Sequence, residues 1–194
     1  MAIGTSWATL LTTKTFNQTG GVIIPISMTM TATTPNQMGS KLRPVIMRAS
    51  DFGMSGHESR DELEADTDLK ARLESIRLKA GPMMRLDDVR ERSVPKMTLI
   101  SNALCGGAIN TRSFIPHRCH ATIGVFAAVS VATACLPDGS PAHALAVVPG
   151  DCRFSIEHPG GASEVLIEQD EDGGIKGAGT LRTARKLMDG RVFP

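Results

Sequence analysis

The stretch ATIGVFAAVSVATACL, residues 121–136, has no ionisable side chain except one thiol. On a helical wheel drawn over residues 120–136, Ala, Val and Ile reach every side, and Gly124, Ala127, Ala128 and Ala132 keep parts of that surface small. A helix that is apolar all round must be buried all round. It falls short of the ~20 residues that cross a bilayer, so the rest of the chain has to wrap it. Pro137-Asp138-Gly139 marks its end, since proline cannot continue the ladder and glycine turns freely.

The wrapping reads mostly as short strands: residues 22–30, with Pro25 confining that strand to an edge or bulge, then 44–48, 96–101, 111–115, 144–148, 153–157 and 164–168. Residues 33–41, 50–56 and 102–110 carry loop and turn signals, and 170–174 forms an acidic turn. A helix begins near Ser59 and strengthens after Asp66. Leu69, Leu73 and Ile76 share one face there, Asp68 can reach Arg72 on the outer face, and Gly81-Pro82 stops it. Residues 179–193 fit a helix through Ala184, Leu187 and Met188, or a strand through the alternation of Leu181, Thr183, Arg185 and Leu187. The expectation is an α+β fold, with short antiparallel strands around one central apolar helix and an outer helix to one side.

A chain of 194 residues suffices for one ordinary domain or two small ones. Six Phe, one Trp and no Tyr argue against a base-stacking nucleic-acid platform, and a net charge of +1 selects no acidic partner. Residues 1–50 hold Lys14, Lys41, Arg43 and Arg48 without any Asp or Glu, yet lack the Arg-rich, amphipathic character of a transit peptide. With no secretory signal and no membrane span, a cytoplasmic location is expected. Cys105, Cys119, Cys135 and Cys152 are too widely spaced for a CxxC motif, so reduced thiols are the default.

The densest reactive cluster, His117, Arg118, Cys119 and His120, stands just ahead of the apolar run. If the helix starts near Pro116, its free N–H groups and roughly half a unit of positive charge form an anion site. The two histidines and the arginine would reinforce it, and the Cys119 thiolate would be favoured. Proton transfer beside a carbonyl or carboxylate suits such a place, with Cys119 or His120 carrying the proton. A bland reading stands beside this one: Cys119 simply buried and the histidines capping or solvated. His117 and His120 lack a third ligand, so no metal is expected. Among weaker candidates, the Glu157-His158-Pro159-Gly160-Gly161 turn could bring amides and His158 to a ligand. Cys105-Gly106-Gly107 is a glycine-flanked thiol in a loop, and Arg182, Arg185 and Lys186 could meet a polyanion.

The segment PHRCHATIGVFAAVSVATACLPDGSP closely resembles the 4-oxalomesaconate tautomerases, relatives of the methylaconitate isomerase (PrpF) family in the diaminopimelate epimerase-like superfamily. RASDFGMSGHES, LKARLESIRLKAG, VPKMTLIS, SIEHPGG and LRTARKLMDGRVF look like family motifs in family order. The resemblance covers residues 44–194 and implies the second domain of a two-domain fold, a curved, mostly antiparallel sheet wrapped around a central helix, with residues 179–193 largely strand. It further implies cofactor-free 1,3-proton transfer on an unsaturated tricarboxylic acid, such as 4-oxalomesaconate in gallate breakdown. By that match His117, Arg118, Cys119 and His120 fall at the second domain's helix start, where carboxylate binding is expected, and Ser155, His158, Gly160 and Gly161 would line the same cleft. Cys119 and His120 are the candidate catalytic pair on the chemistry of the cluster alone. The family's first domain carries a glycine-flanked Cys and a Lys for the proton transfer. Residues 1–43 show no match to that domain and are expected to be an unrelated or heavily diverged leader. Cys105 is not its cysteine, because it lies between second-domain motifs. The alternative is a non-catalytic carboxylate-binding or assembly domain, completed by a homodimer or by a separate first-domain partner.

Overall fold

The computed structural model describes residues 44–181 and the backbone of one further strand, β1 (Met28–Met30). Next come β2 (Pro44–Arg48), a 3-10 turn (Ala49–Phe52), α1 (Arg60–Ala65), α2 (Thr67–Met83), β3 (Lys96–Ser101) and β4 (Ile109–Phe114). The elements α3 (Val125–Ala134), β5 (Arg153–His158), β6 (Gly161–Gln169) and β7 (Ile175–Leu181) complete them. One sheet runs in sequence order from β1 to β7. The β2–β3 and β4–β5 pairs are parallel and the other pairs antiparallel, so the sheet is mixed but mostly antiparallel. It curls so that β2, β5, β6 and β7 all reach α3.

Alternation along the strands sends side chains to two cores. Ile46, Ile100, Ile109, Phe154, Ile156 and Val165 face α3 and meet Ala127, Ala128, Val131 and Ala132. Val45, Met47, Met97, Leu99 and Phe114 point the other way, onto Leu63, Leu69, Leu73 and Ile76. Over β2, β3 and β4 the sheet is thus buried on both faces, which is why these strands lack an exposed polar face. Ser59 caps α1 through a reciprocal capping box with Glu62, and the Asp66 side chain caps α2. The outer pair forms as the spacing predicts, with Arg72 Nη1 3.9 Å from Asp68. Ile76→Val should cost about 0.5–1.5 kcal/mol by opening a small void, read from the denaturant midpoint.

Four expectations need correction. First, α3 begins at Val125, not near Pro116, because residues 115–120 continue the β4 ladder: Ile115 N–H donates to the Arg118 carbonyl (3.0 Å) and His120 N–H to that of Ser113 (2.8 Å). Cys119 pairs with Phe114 in a β-bridge, so the run-in is extended. Second, α3 is not buried all round, since Phe126 is 54% exposed in its first turn. Third, residues 144–148 are not a strand: Ala144 and Ala146 N–H groups turn back onto the Ser140 and Ala142 carbonyls. Fourth, Gly81-Pro82 does not stop α2, which runs to Met83 with Pro82 in its last turn. The expectations for residues 22–27, 33–41 and 182–193 lie outside the described residues.

Candidate functional site

The 115–120 hairpin presents the reactive cluster in several directions. Helix α1 grips the Cys119 backbone on both sides: Arg60 Nε donates to its carbonyl (3.1 Å), and its N–H donates to Glu64 Oε1 (2.5 Å). The thiol turns inward among Phe114, Leu63 and Leu99, with 1% of the residue exposed. Burial pushes its pKa up to about 11, against partial relief from the Arg112 and Arg60 charges. An activated thiolate at a helix N-terminus is therefore not what this fold builds. His117 turns toward α2, its Nδ1 3.7 Å from Glu74. Arg118 and His120 are exposed.

Beside this hairpin, an open groove of about 530 Å³ receives His57 from the segment leading into α1, Arg60 from the first turn of α1, Arg112 from β4, Ala121, and Pro159-Gly160. Arg112 is nearly buried, at 7% exposure, and its Nε donates to the Glu58 carbonyl (2.9 Å). Burial lowers its pKa, while the acidic groups of Glu58 and Glu157 counteract this, and guanidinium stays charged at neutral pH. The acids at the groove have local partners. Glu58 accepts from the Ser55 N–H and Oγ (both 2.8 Å) and the Gly56 N–H (2.9 Å). Its burial favours the neutral acid, but these bonds outweigh it and hold the carboxyl below its ordinary range. Glu62 is occupied by Ser59, whose hydroxyl and backbone N–H keep it low as well. The groove therefore holds two guanidinium charges, each with its Nε on a backbone carbonyl and Arg112 Nη1 also on Asn110 and Thr111, beside carboxylates that are already engaged.

The 157–161 turn shapes the far end. His158 pairs with Gly161, leaving Pro159-Gly160 as a two-residue hairpin tip. Gly160 N–H donates to the Ala121 carbonyl (2.7 Å), and a Cβ on Gly160 would lie 2.8 Å from that oxygen. Gly161, at φ +127°, holds a conformation that other residues resist. Gly160→Ala should push the hairpin off Ala121 and cost about 1–2 kcal/mol, seen in the thermal midpoint. Behind the tip, His158 Nε2 lies 3.1 Å from Ser163 Oγ and its Nδ1 has no hydrogen-bond partner. Burial lowers its pKa, partly offset by the Ala121 backbone. The fold thus brings Gly160 to the groove. Ser155 uses its carbonyl to receive the Ala108 N–H (2.8 Å), tying β5 to the 104–108 loop instead.

Sequence reasoning missed His57, Arg60 and Arg112 as groove residues. The available signal for Arg112 was an arginine inside the strand INTRSF, two residues from Asn110 and hence on the same face. The Cys105-Gly106-Gly107 loop serves a side chain of its own fold. Its amides, with that of Leu104, hold the Glu157 carboxylate at 2.7–2.9 Å. Among the described residues, no three His, Cys, Asp or Glu converge to hold a metal, and no helix is long and apolar enough to cross a membrane.

The profile of the PrpF protein family matches residues 15–194. The chain belongs to the PrpF family. This PrpF chain is 57% identical over 151 residues to a (4E)-oxalomesaconate Delta-isomerase of Novosphingobium sp. (strain KA1), covering 77% of itself and 42% of that protein. A 4-oxalomesaconate tautomerase of Pseudomonas putida is also 57% identical, over 150 residues, covering 76% of this chain and 41% of that protein. The chain thus spans about two-fifths of the length of these curated relatives. Among solved structures, a methylitaconate-delta-isomerase superposes with a TM-score of 0.69 at 17% identity, over 88% of this chain and 48% of that one. That likeness places the PrpF chain in the same fold, the diaminopimelate epimerase-like architecture expected from its motifs.

Proposed function

We propose that this chain forms the carboxylate-gripping half of an isomerase that moves a proton across three carbons of an unsaturated tricarboxylic acid such as 4-oxalomesaconate. The observation that carries this reading is the groove itself, where Arg60 and Arg112 stand beside acids already tied to their own loops. The 57% identity to two oxalomesaconate isomerases supports the substrate class.

The reaction removes a proton from a carbon next to a carbonyl and returns one two atoms away, so oxidation state is unchanged and no redox cofactor is called for. Negative charge grows on the enolate oxygen as the proton leaves. Guanidinium donors held in place before the reaction favour that charge more than the ground state. For the proton itself we assign His120, exposed and adjacent to Ala121 of the groove. Cys119, with a thiol pKa near 11, supplies at most a neutral donor at pH 7. His117, Arg118 and His158 lie off the groove lining and take no part in this reading.

The inward-facing Cys119 favours a second reading, in which the groove binds the acid and groups from outside the described residues bring the proton carriers. Proton NMR with 4-oxalomesaconate in deuterated water separates the two. The isomerase reading predicts deuterium incorporation above the buffer rate, lost in His120→Ala. No incorporation despite bound acid would overturn turnover by this chain and support the binding half.

A further inference from the structure

Asn110 lies in β4 with 3% exposure, opposite Ser101 on β3 and Glu157 on β5. Its side-chain Nδ2 donates to the Gly56 carbonyl (2.7 Å) and to Ser101 Oγ (2.8 Å), and its Oδ1 accepts from Arg112 Nη1 (2.9 Å). A carbonyl only accepts and a guanidinium only donates, so these neighbours fix which way the amide points. Both of its N–H groups are used. Gly56 is pressed close enough that a Cβ there would lie 2.5 Å from Ser101 Oγ, and it adopts φ +83°. Two residues on, the Glu58 carbonyl takes the Arg112 Nε. The 55–58 loop, which brings His57 and Glu58 to the groove, is therefore fastened to β4 at two carbonyls, by two side chains that bond each other.

We infer that Asn110 is the positioning residue of the groove: one amide holds the His57 loop on one side and the Arg112 guanidinium on the other. It touches no ligand. A carboxylate then meets a cation and a loop already set relative to each other, instead of ordering them on arrival. The consequence for ligand binding rests on the groove reading above, whereas the hold on the loop does not.

The test is Asn110→Asp, nearly identical in shape, which turns an acceptor toward the Gly56 carbonyl and sets a carboxylate beside Arg112. Two readouts are taken on the same protein: amide hydrogen exchange, and calorimetric affinity for cis-aconitate as the probe. Exchange in residues 55–58 should rise about tenfold while β2 and β3 keep their protection. Affinity for cis-aconitate should fall about tenfold, the worth of one positioned hydrogen bond. A merely structural role would instead raise exchange across β2, β3 and β4 together and lower the thermal midpoint, and would overturn the inference. Unchanged exchange in the loop, or unchanged affinity, would overturn it too. Wild-type protein that binds no cis-aconitate would sink the groove reading, and the exchange pattern alone would then decide the hold of Asn110 on the loop. Should the Asp variant fail to fold, Asn110→Ser, which is neutral and too short to span Gly56 and Arg112, is read in the same way.

Discussion

Replacing Arg77 by alanine is expected to destabilise the protein by about 3–5 kcal/mol, the cost of emptying a buried site and leaving several carbonyl acceptors without their shared donor. Arg77 sits on α2 with 0% exposure. Its Nε and Nη2 form a fork onto the Glu74 carboxylate at 2.6 and 2.9 Å. Nη1 donates to the carbonyls of Val89 (2.7 Å), Arg92 (3.0 Å) and Val94 (2.8 Å). One planar group thus ties the 89–94 loop to the helix, and without it these carbonyls face a void. Lysine cannot replace it, because an ammonium lacks the fork that serves Glu74 and the loop together. The loop also packs tightly elsewhere, since a Cβ on Gly81 would meet Val89 at 2.7 Å. Urea denaturation of Arg77→Ala at pH 7 checks this, with Glu74→Gln as a milder companion. A loss under about 1 kcal/mol would mean that the loop stands without this anchor.

Glu157→Ala comes next, with an expected loss of about 3 kcal/mol from several charge-assisted bonds sharing one carboxylate. Its Oε1 accepts from Cys105 and Gly107, and its Oε2 from Leu104. Gly107 lies so near that a Cβ there would sit 2.7 Å from the Glu157 side chain. Burial works to raise the carboxyl pKa, but the amides of Leu104, Gly107 and Cys105, helped by nearby His57, prevail and hold it below its ordinary value of 4.5. A depressed folded pKa gives stability that is fully present above the unfolded value and is lost as pH falls through the folded one. The gap between wild type and Glu157→Ala should therefore be constant above pH 5 and shrink steadily as the medium becomes more acidic than 4.5. A gap independent of pH would assign the loss to packing and not to the charge.

What the sequence could reveal was set by whether a residue's neighbours are local. The face formed by Leu69, Leu73 and Ile76, the strands β2 and β3, and the Pro159-Gly160 turn depend on nearby periodicity and turn chemistry, and all were legible. The apolar helix was also legible as an element. Its start was not, because hydrogen bonds from the 115–120 hairpin back to β4 outcompete the helical preference of those residues. The groove was hidden for a related reason. Arg112 reads as a solvated strand residue until Glu58 and Asn110, one of them far away in sequence, supply its partners. Cys119 suggested reactivity through its neighbours in the chain, while its neighbours in space are Leu63, Leu99 and Phe114.

The most direct test of the groove as the carboxylate site is a two-dimensional amide NMR titration of the wild-type chain with cis-aconitate at pH 7. The account predicts saturable shifts concentrated on the amides of His57, Arg60, Ala121 and Gly160, and absent in Arg112→Leu. Shifts confined to His117 and Arg118, or no saturable shift at all, would contradict it.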